Sequence, residues 1–202
     1  MYLKNIKFKP IKSIYLKKIL TWRNQQDVRS KMINQKIISY STHKSWYEAL
    51  KKNKRQKVLI IYFNNLPIGL ATIKEIDKVN KTCTWGFYIG EKSFRYLGLL
   101  VEIKLIDIMF NRLKIRKIWG ETLSDNKKIL KIHFFLGFKK EGLLKKHIRQ
   151  GNIYHNIIIT SLFYEDWIRS KKKIFNNFKK KKNYLINDNS YWCIWWYWTT
   201  NY

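Results

Sequence analysis

The sequence predicts an α/β fold in which a mostly antiparallel sheet is flanked by helices. One observation is a run of three segments with alternating hydrophobic residues, separated by turn residues, which is typical of an antiparallel meander. These segments cover residues 58–63, 68–76 and 82–90. A second observation is the helical spacing of hydrophobic residues from Leu99 to Leu113. The predicted order is one strand, two or three helices, three strands, a helix, a strand, a helix and two strands.

The remaining elements follow from local patterns. Residues 2–8 are expected to form an edge strand, and Ser39–Ser41 can cap the third helix with their hydroxyls. In the helix from Leu99, the hydrophobic spacing places Glu102 on the polar side. A strand at 114–123, a helix from 126 ended by Gly137, and a hairpin over 143–167 complete the domain.

Length and composition indicate one compact domain followed by a tail. The chain has 202 residues, of which 46% are hydrophobic and 16% aromatic, enough for a core. We expect a domain at 1–168 and a basic, Trp-rich tail at 169–202. The tail, with two lysine runs and WCIWWYWTTNY, shows neither helical nor strand periodicity. It is interpreted as disordered or unselected sequence, with a membrane-surface or RNA-stacking segment as the alternative.

The net charge of +29 results from 42 Lys and Arg against 13 Asp and Glu. Such a charge ordinarily indicates a polyanionic partner. Here Lys, Ile and Asn are enriched along the whole chain, as AT-rich codons would produce, and the basic residues form no cluster. A solvated basic surface is therefore favoured, and no nucleic-acid partner is expected.

Cysteine content and hydropathy bear on the compartment. Cys83 and Cys193 match neither a metal-ligand spacing nor a disulfide framework, so no metal site is expected. No segment has the length of a membrane-spanning helix, and the N-terminus has no apolar signal core. A cytoplasmic protein without membrane association is predicted.

The segment from the third meander strand to the next helix is suited to binding an anion. A helix N-terminus presents unpaired amides and the positive end of the helix dipole, which favours a pyrophosphate. Arg95 adds charge, and Gly98 allows close approach of the backbone. The alternative is an ordinary turn at Gly98. Arg95 and Gly98 follow from this reasoning, and the family resemblance given next implies a longer set of cofactor-binding residues: Phe87, Tyr88, Ile89, Arg95, Tyr96, Gly98, Leu99, Leu100 and Asn126.

These residues carry a resemblance to the GNAT acetyltransferase superfamily. Its motif, Arg or Gln, two residues, Gly, one residue, Gly or Ala, is matched by Arg95 and Gly98, with Leu100 at the last position. Its later pattern, Asn, an aromatic seven residues on, and Gly-Phe, corresponds to Asn126, His133 and Gly137-Phe138. The resemblance implies a central, mixed, strongly twisted sheet flanked by helices, and acetyl-CoA as co-substrate.

Longer strings narrow the resemblance. TWRNQQDVRSKMINQKIIS, THKSWYEAL, WGFYIGEK and SLFYEDW look like the bacterial UDP-4-amino-4,6-dideoxy-N-acetyl-β-L-altrosamine N-acetyltransferases, which act in pseudaminic acid synthesis and hence in flagellin glycosylation. The likeness covers residues 3 to 168. It implies acetyl transfer from acetyl-CoA to the 4-amino group of a UDP-linked amino sugar.

The resemblance also assigns roles to residues. His133 would protonate the departing thiolate, and Glu121 would take the proton of the attacking amine. A packed helix-face His133 and a solvated Glu121 are the alternatives. The acceptor-binding candidates are Arg23, Arg29, Met32, His43, Lys74 and Tyr88. For Met32 and Tyr88 the alternative is core packing, for Lys74 a solvated side chain, and for the arginines pairing with nearby carboxylates.

Three other functions stay open. A GNAT enzyme acting on a protein N-terminus or another small amine would share the cofactor segment and differ at the WRN and THKSW strings. A nucleic-acid-binding protein would need exposed aromatics between basic residues. The third is a partly active product of a decaying gene. A homodimer is also left open.

Overall fold

A computed structural model describes residues 2–32 and 34–184 of the chain. The strands are β1 Ile6–Pro10, β2 Lys57–Phe63, β3 Leu66–Asp77, β4 Thr82–Ile89, β5 Lys117–Leu123, β6 Lys139–Gln150 and β7 Ile153–Phe163. The helices are α1 Leu16–Asn24, α2 Gln26–Arg29, α3 Tyr40–Lys52, α4 Gly98–Asp107, α5 Lys127–Leu136 and α6 Tyr164–Tyr184. Single 3₁₀ turns precede β1, α1 and α4.

All seven strands form one sheet in the order β1-β2-β3-β4-β5-β7-β6. Every neighbouring pair is antiparallel except β4 and β5, which are parallel. One face of the sheet packs on α4 and the other on α1 and α3. The predicted α/β class, with a mixed and mostly antiparallel sheet, is confirmed.

Helix caps agree with the sequence analysis. The Ser39 hydroxyl accepts a hydrogen bond from the Thr42 amide at the start of α3. Asn126 caps α5 in the same way, and Gly137 ends that helix with φ +98°, a left-handed conformation that glycine adopts readily.

The prediction that Glu102 lies on a solvent-facing side of α4 is wrong. Glu102 is only 2% exposed, because α4 is enclosed by the sheet and its neighbours, and most of its residues are buried. The helix also continues as a π-helical turn at Ile108–Arg112. The 3.6-residue periodicity of the hydrophobic residues therefore does not distinguish a buried from an exposed side of this helix.

The end of the final hairpin also differs from the expectation. β7 stops at Phe163, and Tyr164–Tyr184 form α6, which crosses the expected boundary at residue 168. Trp167 and Ile174 are buried in the core, and Lys171 pairs with Asp107 at 2.7 Å. Residues 185–202, with most of the predicted tail, lie outside the described residues. The domain division remains a prediction.

Candidate active site

The parallel pair β4 and β5 separates part of the way along the sheet. Their pairing covers Thr82–Thr84 against Lys117–Trp119, and beyond these residues the two strands diverge. Cys83 and Ile118 are partners and both face the core on the α4 side. By strand alternation, Trp85 and Phe87 share that face, while Tyr88 and Glu121 face the opposite, α1 side. The divergence forms a notch with one helix layer on each side.

The N-terminus of α4 follows β4 through the 3₁₀ segment Lys92–Leu97, and the Gly98 amide donates to the Arg95 carbonyl. Its N-terminal cap, Leu97, makes no side-chain capping bond. A Cβ added at Gly98 would meet no atom within 4 Å, and Gly98 has ordinary helical angles. Neither packing nor backbone conformation therefore requires a glycine there, which fits a site where a phosphate approaches the backbone. Leu100, at the motif's last position, is buried in the core.

The Arg95 side chain is engaged by other side chains and is therefore not free to bind a phosphate. Its Nη1 donates to the Asp27 carboxylate at 2.6 Å, and its Nη2 reaches the side chain of Gln25 at 3.4 Å. The hydrogen bond from Arg95 lowers the pKa of Asp27 to about 2. The phosphate role of Arg95 remains a prediction, and so does a phosphate site at the start of α4.

The side chains of the other cofactor-binding candidates differ in how far they are exposed. Phe87 packs against the core and stacks on Trp85, while Ile89 and Leu99 are buried. Tyr96 is 49% exposed at the loop surface. Asn126 uses its side-chain oxygen to cap α5. These positions border the notch, but their contacts with a cofactor stay predictions.

His133 is buried below the notch on the α5 side. Its ring stacks on Phe138 at 4.9 Å between centroids and contacts Trp85 at 5.5 Å. Burial lowers the pKa of His133 to about 4. Its Nε2 lies 3.4 Å from the Glu102 carboxylate, whose pKa burial raises to about 8. Both groups are therefore uncharged near neutral pH.

Glu102 is the residue that sequence analysis missed. It lies within the apolar run LLVEIKLID, where an acidic residue has apolar neighbours on both sides. This apolar context was the sequence signal that Glu102 is buried. An acidic residue on a solvent-facing side of a helix normally has other polar residues close to it. His133 was found by its place in the superfamily pattern.

Glu121, the predicted base, is exposed on β5 beyond its last pairing with β4. It pairs with Ile159 of β7 and shares the α1-side face with Tyr88 across the notch. A base on this face and an imidazole on the other would lie on opposite sides of a thioester held in the notch. The role of Glu121 remains a prediction.

Two predicted acceptor residues, Arg23 and Arg29, lie near Tyr88. Burial is the main cause that lowers the pKa of Arg23, and the charges of Tyr88 and Arg29 act on it as well. Arg23 donates to the Asn34 carbonyl at 2.6 Å, and Arg29 donates to the Gln35 carbonyl at 2.7 Å. Each arginine holds the loop that follows α2.

This group contains several buried polar atoms without a hydrogen-bond partner among the described residues. They are Arg23 Nη1, Arg29 Nε and the Tyr88 hydroxyl. Burial raises the pKa of Tyr88, so its hydroxyl stays protonated. Unpaired buried donors are costly, and a ligand with acceptor oxygens would satisfy them.

The remaining acceptor candidates lie apart from this group or touch it through the backbone. The Met32 carbonyl accepts from Gln150 at 3.3 Å, which joins the hairpin tip to the α2 loop. His43 is buried in α3 and stacks on Trp46, where burial lowers its pKa. Lys74 is exposed on β3 opposite Thr84, four positions along β4 from Tyr88. Their substrate contacts stay predictions.

The described residues bring no group of three His, Cys, Asp or Glu side chains together in a way that could hold a metal ion. Over the same residues, no helix combines the length and hydropathy needed to cross a bilayer.

Comparison with known proteins identifies the family. The model of the acetyltransferase (GNAT) domain matches residues 16–146, which is more than half of the chain. The SPbeta prophage-derived uncharacterized N-acetyltransferase YokL of Bacillus subtilis is 24% identical over 132 residues, covering 64% of this chain and 73% of that protein.

Solved structures share the fold. The spermidine N-acetyltransferase of Vibrio cholerae in complex with CoA and spermine has a TM-score of 0.73 at 16% identity, covering 82% of this chain and 99% of that one. A chimera of the same enzyme with hSSAT has a TM-score of 0.74 at 15% identity, covering 81% and 98%. Because the domain model covers more than half of the chain, the chain belongs to the GNAT acetyltransferase family and is an acyl-CoA-dependent N-acetyltransferase.

Proposed function

We propose that this enzyme acetylates the primary amine of a small molecule that also carries an anionic group, and that a UDP-linked 4-amino sugar is the acceptor. The observation that carries the proposal is the group formed by Arg23, Arg29 and Tyr88, with buried donors that lack a partner among the described residues. Two guanidinium groups favour phosphate oxygens, which accept charge-assisted hydrogen bonds. The resemblance of the long strings to the sugar-nucleotide enzymes, described under the sequence, is a second reason to propose this class.

The donor half of the reaction follows from the notch. Acetyl-CoA would lie between β4 and β5 with its pyrophosphate on the amides at the start of α4. A backbone amide of the diverging strands would stabilise the charge that develops on the thioester oxygen. Glu121, on the α1-side face, would take the proton of the amine as it adds to the carbonyl. Bringing both substrates together accounts for much of the rate enhancement.

A polyamine acceptor is the second candidate, favoured by the spermidine N-acetyltransferases that share the fold. A polycation needs carboxylates that are free to bind it. On the acceptor side, the Asp27 carboxylate is already paired with Arg95 and Glu91 is paired with Lys18, while the exposed Glu121 is reserved in this proposal for the role of base. The net charge of +29 would also repel a polycation in solution. Charge therefore favours the anionic acceptor.

The test measures release of the CoA thiol with two acceptors at equal concentration: UDP-4-amino-4,6-dideoxy-N-acetyl-β-L-altrosamine and spermidine. Mass spectrometry of the products identifies the acetylated amine. We expect the sugar nucleotide to be the better substrate by kcat/KM. A preference for spermidine would instead establish the second candidate.

Two variants test directly whether Arg23 and Arg29 bind the anionic group of the acceptor. Arg23→Gln and Arg29→Gln should each raise KM for the sugar nucleotide by about tenfold or more, as expected when a hydrogen bond to a charged group is lost. KM for acetyl-CoA should stay nearly constant. Arg55→Gln, a change at an exposed arginine outside this group, is the matched control. Equal KM values in all four proteins would contradict the assignment of the anionic group.

A further inference from the structure

A carboxyl group and an imidazole are buried together beneath the notch. Glu102 of α4 is 2% exposed and His133 of α5 is 6% exposed, and their Oε1 and Nε2 atoms are 3.4 Å apart. Glu102 Oε1 is itself buried without a hydrogen-bond partner among the described residues, and His133 Nε2 is the polar atom that lies beside it. The pair lies in the main core, and the matched superfamily pattern includes His133 but not Glu102.

The surroundings of the pair are apolar. Trp85 and Phe138 contact the His133 ring, and burial is the cause of the pKa shifts of both Glu102 and His133. These shifts make a carboxylic acid and a neutral imidazole the dominant forms at neutral pH. A buried ionised pair would be costly to desolvate, whereas two neutral groups are not.

This charge state determines which ring nitrogen carries the proton. A carboxylic acid has one O–H to donate, and the Nε2 lone pair of His133 is the acceptor within reach. The ring proton is then on Nδ1. Among the described residues, His133 Nδ1 has no hydrogen-bond partner and is closed to solvent. A hydrogen-bond partner for this N–H would have to be a group that enters the site.

The notch is the place from which such a group would come. Trp85 directly follows Thr84, the last residue of β4 that pairs with β5. Its indole Nε1 is also buried without a partner among the described residues. Two N–H donors of adjacent rings therefore remain unpaired where the strands begin to diverge, next to the expected position of the thioester.

We propose that Glu102 is a positioning residue for His133, which keeps the imidazole in its Nδ1–H form and resupplies the ring with a proton during acetyl transfer. The inference rests on the proposed function. When the carbon–sulfur bond breaks, sulfur keeps the electron pair and takes the Nδ1 proton. Nε2 takes the carboxyl proton at the same time, so the ring stays neutral and Glu102 becomes a carboxylate. The starting state is restored after CoA leaves, when Nδ1 takes a proton from solvent and Nε2 returns its proton to Glu102.

The relay avoids an unfavourable intermediate. A neutral imidazole that gave up its only N–H proton would become an imidazolate anion in an apolar site. Transfer from the carboxyl group to Nε2 replaces that anion with a carboxylate, which is far more stable. The buried carboxyl therefore explains how an uncharged histidine can act as the proton donor.

The first experiment needs no substrate. Nitrogen NMR of protein labelled with ¹⁵N-histidine distinguishes Nδ1–H from Nε2–H imidazole, and the spectrum of His133→Phe assigns the resonance among the four histidines. We expect the Nδ1–H form in the wild type. Glu102→Gln should keep it, because the amide N–H also donates to Nε2, whereas Glu102→Leu should give a mixture. An Nε2–H form in the wild type would overturn the proposal.

The second experiment follows kcat. Glu102→Gln keeps the tautomer but cannot release a proton, so kcat should fall by about 10- to 100-fold, as for the loss of a general acid. KM for acetyl-CoA should stay nearly unchanged, because the lost effect belongs to the transition state. The double variant Glu102→Gln/His133→Phe should be no slower than His133→Phe alone. Full kcat in Glu102→Gln would exclude the relay.

Controls separate this inference from the proposed function. Glu141→Gln, which changes a carboxylate bound to Lys117 and Ser161, should leave kcat near the wild-type value. Acetyl-CoA should stabilise Glu102→Gln as much as the wild type. If the wild type acetylates neither acceptor, the proposed function fails, while the NMR result still decides whether Glu102 sets the tautomer of His133.

Discussion

Arg95 Nη1 and Asp27 Oδ2 are 2.6 Å apart and join the loop before α4 to helix α2. Lys92 also approaches the same carboxylate, at 3.6 Å. Because the pKa of Asp27 is held at about 2, chiefly by the hydrogen bond from Arg95, the pair keeps its charges above that pH. The segment expected to bind the cofactor and the segment expected to bind the acceptor are thus directly linked.

Asp27→Asn should therefore change acceptor binding more than donor binding. Without the carboxylate, α2 loses its charged contact with the cofactor loop, and we expect the acceptor KM to rise roughly threefold to tenfold. The acetyl-CoA affinity should hold or improve, because Arg95 becomes free and a negative charge is removed. Steady-state kinetics with each substrate varied in turn gives both values. Asp77→Asn, at the β3–β4 turn, is the control.

Substitutions at Gly98 should separate stability from binding. Because an added Cβ meets no atom and the backbone is helical, Gly98→Ala should maintain or raise the Tm of the free protein, by at most the ~1 kcal/mol that separates Gly from Ala in helices. Acetyl-CoA should raise the Tm of the wild type by mass action, and Gly98→Val should abolish that rise. Thermal melts with and without acetyl-CoA measure both effects. A full ligand-induced rise in Gly98→Val would contradict the phosphate site.

The buried Glu102 should make stability fall as pH rises. Its ordinary pKa of 4.5 increases to about 8 in the folded protein, so the folded state binds more protons between these values. Above pH 6.5 the lowered pKa of His133 no longer contributes, which leaves pH 6.5 to 8.5 as the informative window. Trp85 of β4, which contacts the His133 ring, has no side chain that titrates and so adds nothing to this pH dependence.

Glu102→Gln removes this titration. Its Tm should exceed that of the wild type increasingly from pH 6.5 to 8.5, by at least about 2–4 °C, which corresponds to ~1 kcal/mol for a chain of this size. Glu141→Gln should show no such growing difference. Parallel Tm curves for Glu102→Gln and the wild type would show that Glu102 does not titrate in this range.

Truncation within α6 should show where the folded domain ends. A chain that stops at Ser170 loses the buried Ile174 and the Lys171–Asp107 pair, and it should lose at least about 2 kcal/mol, as for the removal of a large core side chain. A chain that stops at Tyr184 keeps both and should unfold like the full chain. Ile174→Ala in the full chain is the matched point change. Equal stability of all four proteins would support the boundary at residue 168.

The sequence was most informative where short-range rules act. The meander strands, the Ser39 cap and the stop at Gly137 depend on neighbouring residues and were predicted correctly, whereas Asn126 was predicted to bind the cofactor and its capping of α5 was not foreseen. Helix α6 was not predicted, because its lysines and few apolar residues conceal a narrow buried side that only contact with the core reveals.

The site was predictable where a motif marks it. Gly98 and His133 stand out by their spacing, their roles stay predictions, and the structure shows that neither packing nor backbone conformation requires a glycine at position 98. The burial of Glu102 and the pairing of Arg95 with Asp27 depend on residues far apart in the chain. Spacing along one element cannot report such contacts, because they form only when helices from different parts of the chain meet.

The strand order constrains how the chain folds during synthesis on the ribosome. Strands β1 to β4 pair with neighbours in sequence order, so this half can assemble as soon as it emerges. β5, by contrast, pairs over Lys117–Leu123 with Ile157–Phe163 of β7, which is made later than β6. Until then, the apolar side of β5 at Ile118 lacks its lateral neighbour, and α6 arrives later still. The nascent chain therefore exposes core surface on β5 until β7 and α6 have been made.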